Sequence, residues 1–293
     1  MPTARRLPQL ARLLDALPAA VSGIRADVLV VDNAPEHPAR AVVAAAPLPV
    51  RYVVEPQPGS AHARNRALAE TDASVIAFLD DDVVPHAGWL APLLRALEDP
   101  GTSAVGGPVL LDPEAHRPAW FDEEGIGGYL SRHELDTASR DLRIGEYLLT
   151  ANAAFDVDAL RSVGGFDPRL GPRPGSQLVA DDVHVVRALQ RAGARVRWEP
   201  ESVVTHELPA ERARRRWLLR RAYLQGRSDW LLDRELLEAR RLGGARVALS
   251  WLGAEAARRR AEGLSRADVR FHLATDVSRA VGAVREGVGW RIG

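Results

Sequence analysis

The apolar run Ser74–Leu79 ends abruptly in Asp80-Asp81-Asp82. Neighbouring carboxylates repel one another and lose hydration unless a cation or hydrogen-bond donors compensate. In an extended chain the first and third side chains point the same way, so Asp80 and Asp82 are placed to share a site. Hard carboxylate oxygens suit Mg2+ or Mn2+, ions that also bind substrate phosphates. A solvated acidic turn capping the next helix accounts for the same three residues, and the triplet alone does not decide between the two. A second acidic pair, Asp181-Asp182, opens a helical pattern closed by Gly193, where the helix dipole alone would favour aspartates. His206 closes the run Val203-Val204-Thr205; such a histidine can ligate a metal or serve the structure.

The elements that must position these groups follow from periodicity. Leu7–Leu17 has helical spacing and is expected to end before Pro18. Strands are expected at Asp27–Val31, stopping at the turn Asp32-Asn33-Ala34-Pro35, and at Val50–Val54, Ser74–Leu79, Thr102–Leu111 and near Arg195–Trp198. Helices are expected at about Ala61–Glu70, Trp89–Leu97, Asp158–Val163 and Asp182–Ala192. Asp112–Arg143 is irregular, with Trp120, Phe121 and Tyr129 available to stack on a ligand or to anchor the loop. Strands alternating with helices imply an α/β fold whose sheet is covered on both faces. Ligands in such folds bind beyond the carboxyl ends of the strands, where Asp32 and the Asp80 triplet both fall.

With 293 residues the chain can build one large α/β domain with a helical extension. Its formal net charge is zero, which argues against a general nucleic-acid binder. All its basic residues are arginine, several of them crowded into Arg212–Arg221. With no cysteine, thiol nucleophiles and thiolate metal sites are excluded. No run approaches a membrane span, and Met1–Leu17 carries arginines where a secretory signal needs a continuous apolar core. The expectation is a cytoplasmic protein, with contact at the inner face of a membrane left open.

Taken in order, Val28–Asp32 (VLVVD), Gly59-Ser60-Ala61-His62-Ala63-Arg64-Asn65 and Phe78–Asp82 (FLDDD) resemble the N-terminal half of a family 2 glycosyltransferase. Gly106-Gly107, Thr150–Phe155 (TANAAF), Val163–Asp167 (VGGFD), Asp181-Asp182 and His206 continue the resemblance to about Gly226. It implies a GT-A type nucleotide-diphospho-sugar transferase fold: a mixed, mostly parallel sheet flanked by helices, with a helical C-terminal extension. The expected division is a transferase domain over 1–226, its donor half about 1–110 and its acceptor half about 111–226, and an extension over 227–293.

The resemblance also implies roles. Asp32 would contact the nucleotide base, Arg64 would lie near the donor, and Asp80, with Asp81 beside it, would bond the donor's ribose or sugar. Gly107 and Asn152 would border the donor. Asp82 and His206 would ligate a Mn2+ or Mg2+ bridging the diphosphate. Asp182 would be the base for inverting transfer, and Asp181 would hold it or take an acceptor hydroxyl. The partners implied are a nucleotide-diphosphate sugar and a carbohydrate, lipid-linked or small-molecule acceptor, with a homodimer left open. For Asp32 a plain turn residue, and for Arg64 a salt bridge, remain alternatives.

Two departures matter. Only Met1–Arg6 is expected to represent the family's first strand, which would leave neighbouring backbone groups unpaired. The acidic pair is Asp-Asp where the family carries Glu-Asp. A transferase-like domain that binds without turnover is therefore one rival, and a sugar nucleotidyltransferase is another, although the latter's N-terminal Gly-rich loop is missing. From Asp229 onward apolar residues at helical spacing (Leu231, Leu232, Leu236, Leu237) lie among arginines. Such a helix suits an anionic membrane surface or, as the commoner outcome, packing on the body or on a second subunit.

Overall fold

The computed structural model describes residues 1–122, 126–143, 145–176, 178–239 and 266–289. The chain divides into two compact units. The first comprises Met1–Pro113, Ser131–Gln177 and Asp181–Glu207; the second comprises Glu114–Leu130, Leu178–Ala180 and Leu208–Gly293.

The first unit is α/β. Its order is β1 (Pro2–Thr3), α1 (Leu7–Ala20), β2 (Val28–Asp32), α2 (Arg40–Ala44), β3 (Val50–Val54), α3 (Ser60–Ala69), β4 (Val75–Leu79), β5 (Val83–Pro85), α4 (Leu90–Leu97), β6 (Thr102–Gly106), β7 (Val109–Leu111), β8 (Arg140–Asp141), β9 (Asn152–Asp156), α5 (Val157–Ser162), α6 (Asp181–Arg191), β10 (Arg195–Trp198) and β11 (Val204–His206). Strands pair in the orders β1-β2-β3, β4-β9-β6-β10-β8 and β5-β11-β7. The first set is wholly parallel. In the second, β9 runs antiparallel to both β4 and β6, while β10 runs parallel to β6.

The first strand is short but paired. Pro2 and Thr3 lie opposite Val31 and Asp32, and Asn33 N donates to Thr3 O. Helix α1 does not stop before Pro18 but runs to Ala20. A proline in the last turn forfeits one backbone donor while the remaining turn still closes, with Val21 N donating to Leu17 O. The run expected as one strand over Thr102–Leu111 breaks at Gly107-Pro108, and its halves join different sets. A Cβ on Gly107 would come 2.1 Å from Ser202 O, so only glycine allows the chain to cross there.

One buried cluster packs α1 (Leu10, Leu13, Leu14) and α4 (Leu93) against Val30, Val83 and Val105. Another, around Phe78, Phe155, Phe166 and Trp198, lies under α3 and α6. Its three phenylalanines meet edge to face, at centroid distances of 5.3 to 6.1 Å. These two cores fix β4 and the helices that carry the acidic residues.

The second unit is helical: α7 (Arg215–Ala239) and α8 (Arg266–Gly289) pack closely. The division expected at 226/227 falls inside α7, where Gly226 serves the packing: a Cβ there would sit 1.7 Å from Arg279 O. Trp120 stacks edge-on against Phe271, with Arg215 over both rings. It anchors its loop within this unit. The side chains of Leu236 and Leu237 lie outside the described residues. No described helix is long and apolar enough to cross a membrane.

Candidate active site

Strand β4 delivers the chain to Asp80, and there the extended conformation ends. Asp81 and Asp82 form a turn before β5. Strand alternation therefore stops applying, and the carboxylates divide differently from the Asp80/Asp82 pairing expected. Asp80 turns toward α3, whereas Asp81 and Asp82 share a cation, Arg6, at the N-cap of α1.

Arg64 stands one turn into α3 and is 5% exposed. Its Nη1 donates to Asp181 Oδ2 at 2.6 Å and its Nη2 to Asp80 Oδ1 at 2.8 Å. Helical spacing puts Ser60 on the same face, and its hydroxyl reaches Asp181 Oδ2 at 3.4 Å. On the adjacent face Asn65 clamps the Gly165-Phe166 turn. Its Nδ2 donates to Phe166 O, and its Oδ1 accepts from Phe166 N. The planar fork of one arginine thus joins the acid at the end of β4 to the acid that opens α6.

Asp181 is buried against that guanidinium, while Asp182 keeps part of its surface. The neighbouring protein bulk, then Asp181's charge, push the Asp182 carboxyl up to about 7. Its Oδ1 accepts from Val183 N at 2.9 Å. A carboxylate that gains a proton near neutrality has a basicity suited to accepting one from a hydroxyl.

Asp81 is buried, and burial pushes it up to about 6 against the lowering effect of Arg6. Thr3 Oγ1 donates to its Oδ2 at 2.9 Å and Ala4 N at 3.3 Å, so the short β1 ends at the triplet. Asp82 meets His206 because β11 runs antiparallel to β5 with His206 opposite Val83. His206 Nε2 lies 3.5 Å from Asp82 Oδ2. Ligands at about 2.1 Å from one Mg2+-sized ion lie about 3.0 Å apart when adjacent and about 4.2 Å when opposite. This oxygen and nitrogen therefore fit a shared ion. Among the described residues no three His, Cys, Asp or Glu side chains converge, so phosphate or water would complete the coordination.

The profile described as Glycosyl transferase family 2 matches residues 1–162. The chain belongs to this family. Its relatives include succinoglycan biosynthesis protein ExoM of Rhizobium meliloti, 31% identical over 76% of this chain and 71% of that protein. The pre-mycofactocin glycosyltransferase of Mycobacterium tuberculosis is 32% identical over 57% of this chain, and the match spans about a third (34%) of that longer protein. Among solved structures, mannosyltransferase PcManGT from Pyrobaculum calidifontis, in complex with GDP-Man and Mn2+, superposes with a TM-score of 0.61 at 21% identity. The match covers 97% of this chain and 85% of that one. The fold is accordingly GT-A, as its motifs imply.

Within this family 2 chain several marked residues work inward. Asp32 is fully buried. Its carboxylate accepts from Ala34 N and Ala39 N, both at 3.0 Å, and from the Tyr52 hydroxyl at 2.8 Å. It holds the turn after β2, the alternative reading of this residue. Asn152 is likewise committed. It donates to Pro108 O and Ser202 O and accepts from Trp89 Nε1, tying together segments that no local pattern relates. Gly107 packs closely against the Ser202 and Glu199 backbone oxygens. Arg6, Ser60 and Thr3 join the site without having been singled out. Arg6 does carry a signal, the Arg5-Arg6 pair immediately before α1.

Proposed function

We propose that this chain transfers a sugar from a nucleotide-diphosphate sugar to an acceptor hydroxyl with inversion. Asp182 is the base, and Asp82 with His206 holds a Mn2+ or Mg2+ together with the donor's phosphates. The observation that carries the reading is the Arg64 bridge, which sets the triplet and the acidic pair at two ends of one guanidinium. Donor-side and acceptor-side carboxylates then stand one residue's span apart, as a single displacement between two bound substrates requires.

In this mechanism Asp80, partly exposed, accepts hydrogen bonds from the donor's ribose or sugar hydroxyls through the oxygen edge that Arg64 leaves open. Asp182 takes the acceptor hydroxyl's proton as that oxygen attacks, at an oxocarbenium-like centre. Asp181, neutralised by Arg64, orients the start of α6 so that Asp182 faces outward. When bound, the divalent ion would neutralise charge on the departing diphosphate.

The test is a thermal-shift series with UDP, GDP and dTDP, each with Mn2+, Mg2+ or EDTA, on the wild type and Asp82→Asn, followed by a nucleotide-release assay. The neighbour solved with GDP-Man and Mn2+ makes that the first pair to try. A ligand near 100 times its Kd adds about 2.7 kcal/mol. That is a shift of about 5 to 10 °C at this size. A metal-dependent shift for one nucleotide, lost in Asp82→Asn, supports the reading. No shift with any nucleotide in a cooperatively melting protein overturns it and leaves a binding domain without turnover.

A further inference from the structure

Arg6 lies at the oxygen to which the proposed ion would bind. Its Nη1 donates to Asp82 Oδ2 at 2.6 Å and to Asp81 Oδ1 at 2.9 Å. That Asp82 oxygen is also the one 3.5 Å from His206 Nε2. A guanidinium nitrogen at hydrogen-bond distance and a divalent ion at coordination distance cannot share one side of a carboxylate oxygen. Nor would two like-charged cations be stable there.

Resting on the metal reading above, we infer that Arg6 is the resident cation of the Asp81-Asp82 pair. Divalent-ion binding is then an exchange in which the Arg6 side chain must leave Asp82. The surroundings suit such an exchange. Arg6's side chain is 43% exposed, whereas those of Asp81 and Asp82 are 7% and 6% exposed. The more exposed partner is thus the arginine, and the acids are the buried ones. Asp81 keeps Thr3 Oγ1 and Ala4 N when Arg6 swings away, so the turn need not collapse. Arg6 caps α1 only with its backbone, its side chain making no cap hydrogen bond, so its rotation does not unravel the helix. Its neighbour Arg5 does something else, pairing with Glu36 on the surface, and makes a matched control. Arg6 therefore lowers the chain's affinity for a free divalent ion while keeping the paired acids compensated.

The experiment titrates Mn2+ into the wild type, Arg6→Gln, Arg6→Lys and Arg5→Gln without nucleotide, reading bound ion by electron paramagnetic resonance. Each is repeated with Asp82→Asn, and melting is followed in EDTA and in Mn2+. Arg6→Gln should bind Mn2+ about tenfold more tightly than the wild type, the scale of a partly exposed ion pair. Arg6→Lys and Arg5→Gln should stay near the wild type, and Asp82→Asn should abolish binding in every background. In EDTA Arg6→Gln should melt below the wild type, and Mn2+ should close the gap. Unchanged or weaker Mn2+ binding in Arg6→Gln, with Asp82 still required, overturns the inference and leaves the metal reading standing. Mn2+ binding indifferent to Asp82→Asn, or absent throughout, overturns both. Should Arg6→Gln fail to fold, an affinity for Arg6→Lys tenfold above that of the wild type would equally overturn it.

Discussion

Replacing Arg64 with methionine keeps most of the side-chain volume and removes the charge. Asp181, 4% exposed, then loses its ion pair and remains in a site that water barely reaches. Breaking a buried pair from one side costs about 3 to 5 kcal/mol. Asp80, whose side chain is 32% exposed, adds no more than about 1 kcal/mol because solvent screens it. The expected loss is therefore about 3 to 6 kcal/mol, or about 6 to 24 °C in melting temperature. Scanning calorimetry at pH 7.5 on Arg64→Met, Asp181→Asn and the double variant measures it. Asparagine removes the stranded charge, so the double variant should recover at least about half of the loss. Arg64→Lys should fall between, since a single ammonium cannot span both acids with the geometry of a fork. A loss under about 1 kcal/mol, or a double variant no better than Arg64→Met, would refute the bridge. The residue would then matter only through its packing over the Phe166 ring, 5.7 Å away.

Other outcomes test the neighbouring structure. Because Asp182 is pushed up to about 7, nucleotide release should rise with pH through that value; a rate flat from pH 5.5 to 8.5 in the wild type would remove Asp182 as base. The same shift has a stability sign. Stability present below about pH 4, the ordinary carboxyl range, is lost as pH rises through about 7, so Asp182→Asn should gain on the wild type above pH 7. Calorimetry at pH 5 and 8 reads this. Asn152→Ala strands Trp89 Nε1 and removes a donor from Ser202 O, while Pro108 O keeps Val204 N, and should cost about 2 to 3 kcal/mol in urea unfolding. Gly226→Ala should push α7 away from α8, lowering the helical signal's melting temperature by several degrees, because its methyl would overlap Arg279 O.

Much of the first unit is legible because its signals are local. β3 and β10 appear at the residues expected, and α3, α4, α5 and α6 lie within a residue or two of expectation. Apolar runs and helical spacing need no distant partner to be recognised. What the pattern hides depends on partners. β5, β7 and β11 have only three residues each and exist because they pair with one another. β9 is rich in alanine, weak in strand propensity, yet central between β4 and β6. The triplet escapes strand alternation because all three aspartates lie beyond Leu79, where β4 ends, and Asp81 and Asp82 turn. Asp32 and Asn152 are types that serve ligands and turns equally well. Their bonds, from Asp32 to Ala34, Ala39 and Tyr52 and from Asn152 to Trp89, Pro108 and Ser202, join segments that no local pattern relates.

The pairing of β11 with β5 and β7 has a consequence for how the molecule is made. Asp82 emerges from the ribosome more than a hundred residues before His206, the residue it meets. Throughout that interval β5 and β7 present unmatched edges, liable to pair wrongly or with another chain. A nascent chain halted before residue 204 would hold the whole triplet, Arg6 and Arg64, yet lack His206. Closure of the last short strand therefore both seals two edges and brings His206 to Asp82. The acidic turn thus acquires its histidine late, and a truncated product is left with two strand edges open.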